Sequence, residues 1–553
     1  MSSVSNPSKP SPPRAVLLWR GSPPLPTSCP PQSMLRALRF SYRTAAVALL
    51  GLGLVALPKS FDVAADDLEA RPDPEPTVEV AEVLPPAPAS LAPVLTPLTE
   101  DRLFRDSTVA LQVVDLATGQ EVYAYNAEVA LNPASTMKVI TAATALRTLG
   151  PEYRFETTLV HDGKLSSDGV LNGNLYVRGT GDPSFVIEDL WKMVYDLKLE
   201  GVREIKGNVY FDDTFMTAES GVPGWTKKAD IERGPSYFPS LGALSLNFNT
   251  VAVVAGPGPT VGDAARVDVE TPAPGIVEVD NQLTTSASGS RRRILLERDV
   301  TGKKVTMKLA GTIPQNSTAQ RYYRAVPDSK AYFTAAFAAM MSDQGIRVRG
   351  KWLDGEVPER SKPLVRHRSD DLATIVGRTN KHSNNFMAEQ VLKAVGAEIA
   401  GEGSTAAGLS VVMSYLEELG IPSEEYTLVN GSGLSRQLML RPSHLNAVLV
   451  DMAADEQVGP EFRSSLAIGG RDGTLWARFR EDDQVGKLRG KTGTLNGVHC
   501  LAGYVQGGDG KPYAFAFLVN DLPYSIARAR QAHDRFADVM FELGDEAVVA
   551  KSE

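Results

Sequence analysis

Lys138 is the sole charged residue between Glu128 and Arg147, inside an apolar run from Leu131 to Leu149. A helix that is apolar nearly all round belongs in a protein interior, so the rest of the chain must fold around this one. An ammonium held there costs several kcal/mol or more unless it is paired or has its pKa lowered. A lysine in that position is a candidate base.

Local signals place a nucleophile beside it. Pro133 suits a first helical position and Asn132 before it is a good N-cap, which predicts a helix with Ser135 in its first turn. Residues three apart share one helix face, so the Lys138 amine is expected to reach the Ser135 hydroxyl. The positive helix end would favour negative charge developing on that oxygen.

Ser135-Thr136-Met137-Lys138 is the one Ser-x-x-Lys in the chain, and two further triplets follow it, Ser383-Asn384-Asn385 and Lys491-Thr492-Gly493. Taken singly, each triplet has a plain alternative. The first could be a polar turn capping an amphipathic run from Phe386 to Val395. The second could be a strand-edge lysine, since Val498 to Val505 and Tyr513 to Val519 read as two strands around the Gly507-Gly508-Asp509-Gly510 turn. Together they stand in the order found in penicillin-binding proteins and β-lactamases.

With Gly181-Asp182-Pro183, Ala243 to Asn249, Asn430-Gly431-Ser432-Gly433-Leu434-Ser435 and Arg471-Asp472-Gly473-Thr474-Leu475, the three motifs resemble the penicillin-binding serine D-alanyl-D-alanine carboxypeptidase/endopeptidase family with a large insertion. The resemblance spans about Leu103 to Leu543. Ser135 lies 248 residues before Ser383, and Ser383 lies 108 before Lys491. Ordinary β-lactamases have a much shorter first gap, so the spacing favours a cell-wall peptidase. A β-lactamase and a non-catalytic peptidoglycan-binding protein of the same fold are the alternatives.

The resemblance implies an α/β (α+β) penicillin-binding/β-lactamase-like transpeptidase fold, an antiparallel sheet flanked by helices, with the active site between sheet and helical cluster. It implies acylation of Ser135 by a D-Ala-D-Ala stem peptide of peptidoglycan, or by a β-lactam as covalent inhibitor. Lys138 would take the serine proton and Ser383 would relay one to the departing amine. Asn385 would hold the substrate amide. Lys491, Thr492, Gly493 and Thr494 would form the edge that binds the terminal carboxylate, with backbone N–H groups of Ser135 and Thr494 as oxyanion hole. No cofactor is implied, and the six histidines show no metal-ligand spacing.

Composition narrows the remaining classes. At 553 residues and 43% apolar, the chain is long enough for two or three cores. A net charge of −9 argues against a nucleic-acid partner, which needs a basic surface. The compact run Arg291-Arg292-Arg293 reads as a solvated loop or strand edge. Thr44 to Leu57 is uncharged, mostly apolar and preceded by Arg36, Arg39 and Arg43, with Val63-Ala64-Ala65 as a cleavage site. That is a signal-peptide layout, predicting export to the periplasm or cell envelope; left uncleaved, it would anchor the protein to the membrane. Cys500 is then the one cysteine left in the exported chain, and it reads as a buried small hydrophobe.

The expected organisation is a mis-annotated extension over 1–33, with translation starting at Met34, a signal peptide over 34–65 and a Pro-rich acidic linker over 66–100. A discontinuous peptidase domain follows over 101–154 and 328–545, interrupted at 155–327 by a strand-rich module of one or two nested domains. Strands near the two chain ends are expected to pair with the Lys491 strand.

Overall fold

The computed structural model describes residues 90–219, 221–225, 233–523 and 526–544. The extension, the signal peptide and nearly all of the linker lie outside these residues.

Two adjacent segments, Val498–Gln506 and Pro512–Asn520, are apolar at both odd and even positions, the signature of strands buried on two faces. They form the middle of a six-stranded sheet. Its order is Ala467–Ile468, Leu488–Leu495, Val498–Gln506, Pro512–Asn520, Thr108–Asp115 and Glu121–Tyr125, and every pair is antiparallel. The expected sheet with flanking helices is thus observed. The expected pairing differs in detail: Thr108–Asp115 binds Pro512–Asn520, and two strands separate it from Leu488–Leu495.

Alternate residues of the sheet feed two cores. Cys500, Ala502, Tyr504, Ala516 and Leu518 pack with residues of the helices Met137–Leu149, Asn385–Ile399, Thr405–Glu418 and Pro442–Ala454. Leu501, Val505, Phe515, Phe517 and Val519 pack on the other face with the helices Ala92–Thr99 and Ile526–Phe541. The first of these two corrects the linker. Leu91, Leu95 and Leu98 recur at helical spacing, and burial of Leu95 and Leu98 docks the segment despite Pro93 and Pro97.

A second body carries its own core, built from Glu156–His161, Leu175–Gly179, Val209–Asp212 and the helix Ile187–Leu199, with two three-stranded sheets beyond. Its end was expected at Pro327, but it runs on to Arg368. Tyr332, Phe333, Phe337 and Met341 of the helix Ser329–Asp343 are at most 1% exposed within that core. Burying each such side chain contributes about 1.5–3 kcal/mol, so the helix goes where they go. Lys362–Arg368 then pairs with Glu156–His161, closing the module next to where it opened. Arg291 and Arg292 are exposed and Arg293 begins the strand Arg293–Thr301.

Candidate active site

The nucleophile segment starts on a strained turn. Ser135 lies in a 3₁₀ turn, Ala134–Thr136, and the α-helix begins only at Met137. This corrects the expected placement of Ser135 in the first α-turn after Pro133. Ala134 has φ +46°, a left-handed conformation that costs a residue with a Cβ of order 1–3 kcal/mol. Surrounding bonds hold it there: the Ala134 N–H donates to Asn132 Oδ1 at 3.0 Å, and Thr136 Oγ1 donates to the Pro133 carbonyl at 2.7 Å. Asn132 is itself clamped, its N–H donating to Asn520 Oδ1 at 2.9 Å and its Nδ2 to the Ser435 carbonyl at 2.8 Å.

Close backbone approach completes the seat. A Cβ on Gly433, at φ +79°, would strike the Ala134 carbonyl, and one on Gly493 would lie 2.6 Å from the Pro133 carbonyl. Glycine at both positions lets the Asn430 loop and the Lys491 strand press against the turn that presents Ser135.

Lys138 is fully buried, and its Nζ donates to Ser135 Oγ at 3.1 Å, Asn385 Oδ1 at 2.8 Å and the Ser432 carbonyl at 2.6 Å. All three acceptors are neutral. Burial brings its pKa down to about 7, against an opposing pull from the Glu389 carboxylate. Near neutral pH the amine can therefore stand empty and accept a proton from the hydroxyl it touches.

Ser383 ends the helix Leu372–His382 in the left-handed conformation, φ +53°, and Asn384 caps the next helix by accepting from the Met387 N–H at 3.0 Å. This junction points Ser383 and Asn385 at one place. Lys491, fully buried on Leu488–Leu495, donates to Ser383 Oγ at 2.8 Å and to the Thr492 carbonyl at 2.7 Å. Burial and the nearby Lys138 hold its pKa well below the usual lysine range. Ser135, Lys138, Ser383, Asn385 and Lys491 are thereby linked into one cluster.

Thr492 and Thr494 lie along the same strand, bonded to Thr474 Oγ1 at 2.9 Å and to His499 Nδ1 at 3.0 Å. They open onto a cavity of about 420 Å³ shared with Lys381, Trp476, Arg478 and Arg530. Burial pushes His499 down to about 4, so it is neutral at working pH. Cys500, one strand residue further on, is fully buried with its thiol pushed up to about 12, which suits a packing residue and not a nucleophile.

Two parts of the site escaped the sequence reading. The Ser432 carbonyl is an acceptor for Lys138, and backbone acceptors leave no mark in residue type. Glu389 is fully buried, its two oxygens accepting from the Ser432 N–H at 2.7 Å and the Gly431 N–H at 3.0 Å. The signal was present: Glu389, Gln390 and Lys393 interrupt a helix whose remaining neighbours from Phe386 to Gly396 are apolar, and every residue of that stretch is buried.

Comparison with known proteins points to one family. A family model described as D-Ala-D-Ala carboxypeptidase 3 (S13) matches residues 92–540. A D-alanyl-D-alanine carboxypeptidase of Actinomadura sp. (strain R39) is 32% identical over 76% of this chain and 79% of its own. The D-alanyl-D-alanine carboxypeptidase DacB of Haemophilus influenzae is 27% identical over 80% of this chain and 91% of its own. The crystal structure of penicillin binding protein 4 from Haemophilus influenzae shares the fold, with a TM-score of 0.70 at 24% identity over 81% of this chain and 99% of that one.

Proposed function

The chain belongs to the D-Ala-D-Ala carboxypeptidase 3 (S13) family and is a serine-type carboxypeptidase, and from that premise we propose that the cleft around Ser135 cleaves the D-Ala-D-Ala bond of peptidoglycan stem peptides. Ser135 Oγ attacks the scissile carbonyl while its proton passes to Lys138, 3.1 Å away. That contact, made by a buried amine near neutral pKa, is the observation that carries the reading.

The remaining roles follow from chemistry. Collapse of the tetrahedral intermediate needs a proton on the departing amine; Ser383 supplies it and is resupplied from Lys138 or Lys491, with Lys491 at 2.8 Å. Asn385 orients the substrate amide, and Lys491, Thr492 and Thr494 receive the terminal carboxylate, with Gly493 giving the strand room to approach. Backbone N–H groups of Ser135 and Thr494 serve as oxyanion hole. Water then releases the acyl group.

A β-lactam presents a strained amide to the same serine, and a penicillin binding protein 4 from Haemophilus influenzae, 25% identical, has been crystallised with a novel β-lactam. Peptidoglycan as substrate requires export, for which Arg36 to Ala65 is the candidate signal. Catalysis is assigned to a discontinuous domain of about 91–154 and 370–544, with the insertion between.

Fluorescent penicillin provides the test. The protein should label at Ser135 and hold the label, and a Ser135→Ala variant should stay dark. Rapid turnover of the antibiotic would instead mark a β-lactamase, and no labelling a binding protein.

A further inference from the structure

We infer that Glu389 is the positioning residue of this site: its carboxylate holds the Gly431–Ser432 turn so that the Ser432 carbonyl captures Lys138, and its charge governs how readily Lys138 takes the Ser135 proton. The inference rests on the reading of Lys138 as base.

The geometry is a closed circuit on two elements. The helix Asn385–Ile399 offers Asn385 to Lys138 at 2.8 Å and, one turn on, Glu389 to the turn behind it. That turn returns the Ser432 carbonyl to Lys138 at 2.6 Å. Glu389 therefore touches the base through a single residue, Ser432, whose N–H it binds and whose carbonyl Lys138 binds. Its two oxygens each accept an N–H, as an ionised carboxylate does; a carboxamide has one acceptor oxygen and would set its NH₂ against the other donor.

The charge environment is simple. Lys138 faces Ser135 on its own chain segment, Asn385 and Glu389 on the helix, the Ser432 carbonyl on the turn, and the Lys491 amine from the strand. Glu389 faces Lys138 and the two N–H groups of the turn. Glu389 is thus the carboxylate acting on Lys138, opposing the burial that pushes the amine toward its empty form; burial also raises the pKa of Glu389, against the pull of the two N–H groups and of Lys138. Glu389 keeps the base from becoming too weak to hold the serine proton once taken.

Single-turnover acylation by fluorescent penicillin, followed against pH in the full chain, tests this. In Glu389→Gln, acylation should slow about ten-fold or more through loss of turn bonding. The acid limb of its pH profile should also move down by about one unit, because an opposing negative charge has gone. Glu389→Asp keeps the charge but cannot reach both N–H groups, so it should slow acylation and leave the limb in place. An unshifted limb in a Glu389→Gln protein with a normal thermal melt would overturn the inference. Should Glu389→Gln not fold, Glu389→Asp decides alone: wild-type rates there would sink the positioning role. Lys138→Ala is run in parallel. Near-normal acylation in that variant would remove the premise, whereas an inert Lys138→Ala beside an unshifted Glu389→Gln indicts Glu389 alone.

Discussion

One helix, Asn385–Ile399, touches two buried lysines, and they differ in everything but burial. At its start Lys138 meets only neutral oxygens, those of Ser135, Asn385 and Ser432. Two turns later the helix's own Lys393, 1% exposed, donates to Glu219 Oε2 at 2.9 Å and to the Thr217 carbonyl. Glu219 also accepts from the N–H and hydroxyl of Thr405, both at 2.9 Å, tying the helix Thr405–Glu418 to the same pair. Burial alone therefore does not make a lysine a base. A carboxylate in direct contact turns the side chain into a brace; neutral contacts around Lys138 leave its proton free to move.

Breaking each lysine should expose this contrast. Lys138→Ala should lower acylation by about 10²–10⁴-fold, the usual worth of a positioned base, with the thermal melt retained. In the wild-type protein only the unprotonated amine accepts a proton, so acylation should climb with pH through about 7, and a stopped-flow series checks it. Lys393→Met should act the other way. Chemical denaturation should show a loss of about 3 kcal/mol, the low end for a broken buried pair because the Glu219 side chain is 23% exposed. Acylation per folded molecule should stay at the wild-type level. Equal damage to both properties in either variant would erase the distinction between base and brace.

The smallest effect sharpens the comparison from the opposite wall of the cleft. His499 is neutral and bonded to Thr494, and its Nε2 is buried without a partner. His499→Ala removes the bond that orients the Thr494 hydroxyl. KM for a D-Ala-D-Ala peptide should rise about five-fold, one hydrogen bond's worth, with kcat little changed.

What the sequence disclosed followed from how locally each feature is encoded. Ser135 and Lys138 meet because three residues span less than one helical turn, and Lys491-Thr492-Gly493 leads directly into the apolar run Val498 to Val505, which reads as a strand. The left-handed φ of Ala134 was invisible, because alanine carries no preference for it; the Asn132 and Thr136 side chains and the close approach of Gly433 and Gly493 impose it. Glu389 and Lys393 lie in the run from Phe386 to Val395, which reads as amphipathic, and only tertiary packing buries both. The module boundary moved from Pro327 to Arg368 for a related reason. A helix as apolar as Ser329–Asp343 suits either core, and the match of its aromatic residues to Phe185 and Phe211 decides between them.

Thr108–Asp115 has its long partner only in Pro512–Asn520, at the opposite end of the chain. During synthesis that first strand must wait for almost the whole polypeptide before its hydrogen bonds can close, and such distant pairing is slow to nucleate. Since Asn132 is pinned by Asn520 from the same late strand, the turn presenting Ser135 also lacks that clamp until then. One clamp on the reacting turn is thus among the last parts of the hydrolase to be made, and a chain cut short before Asn520 would lack it.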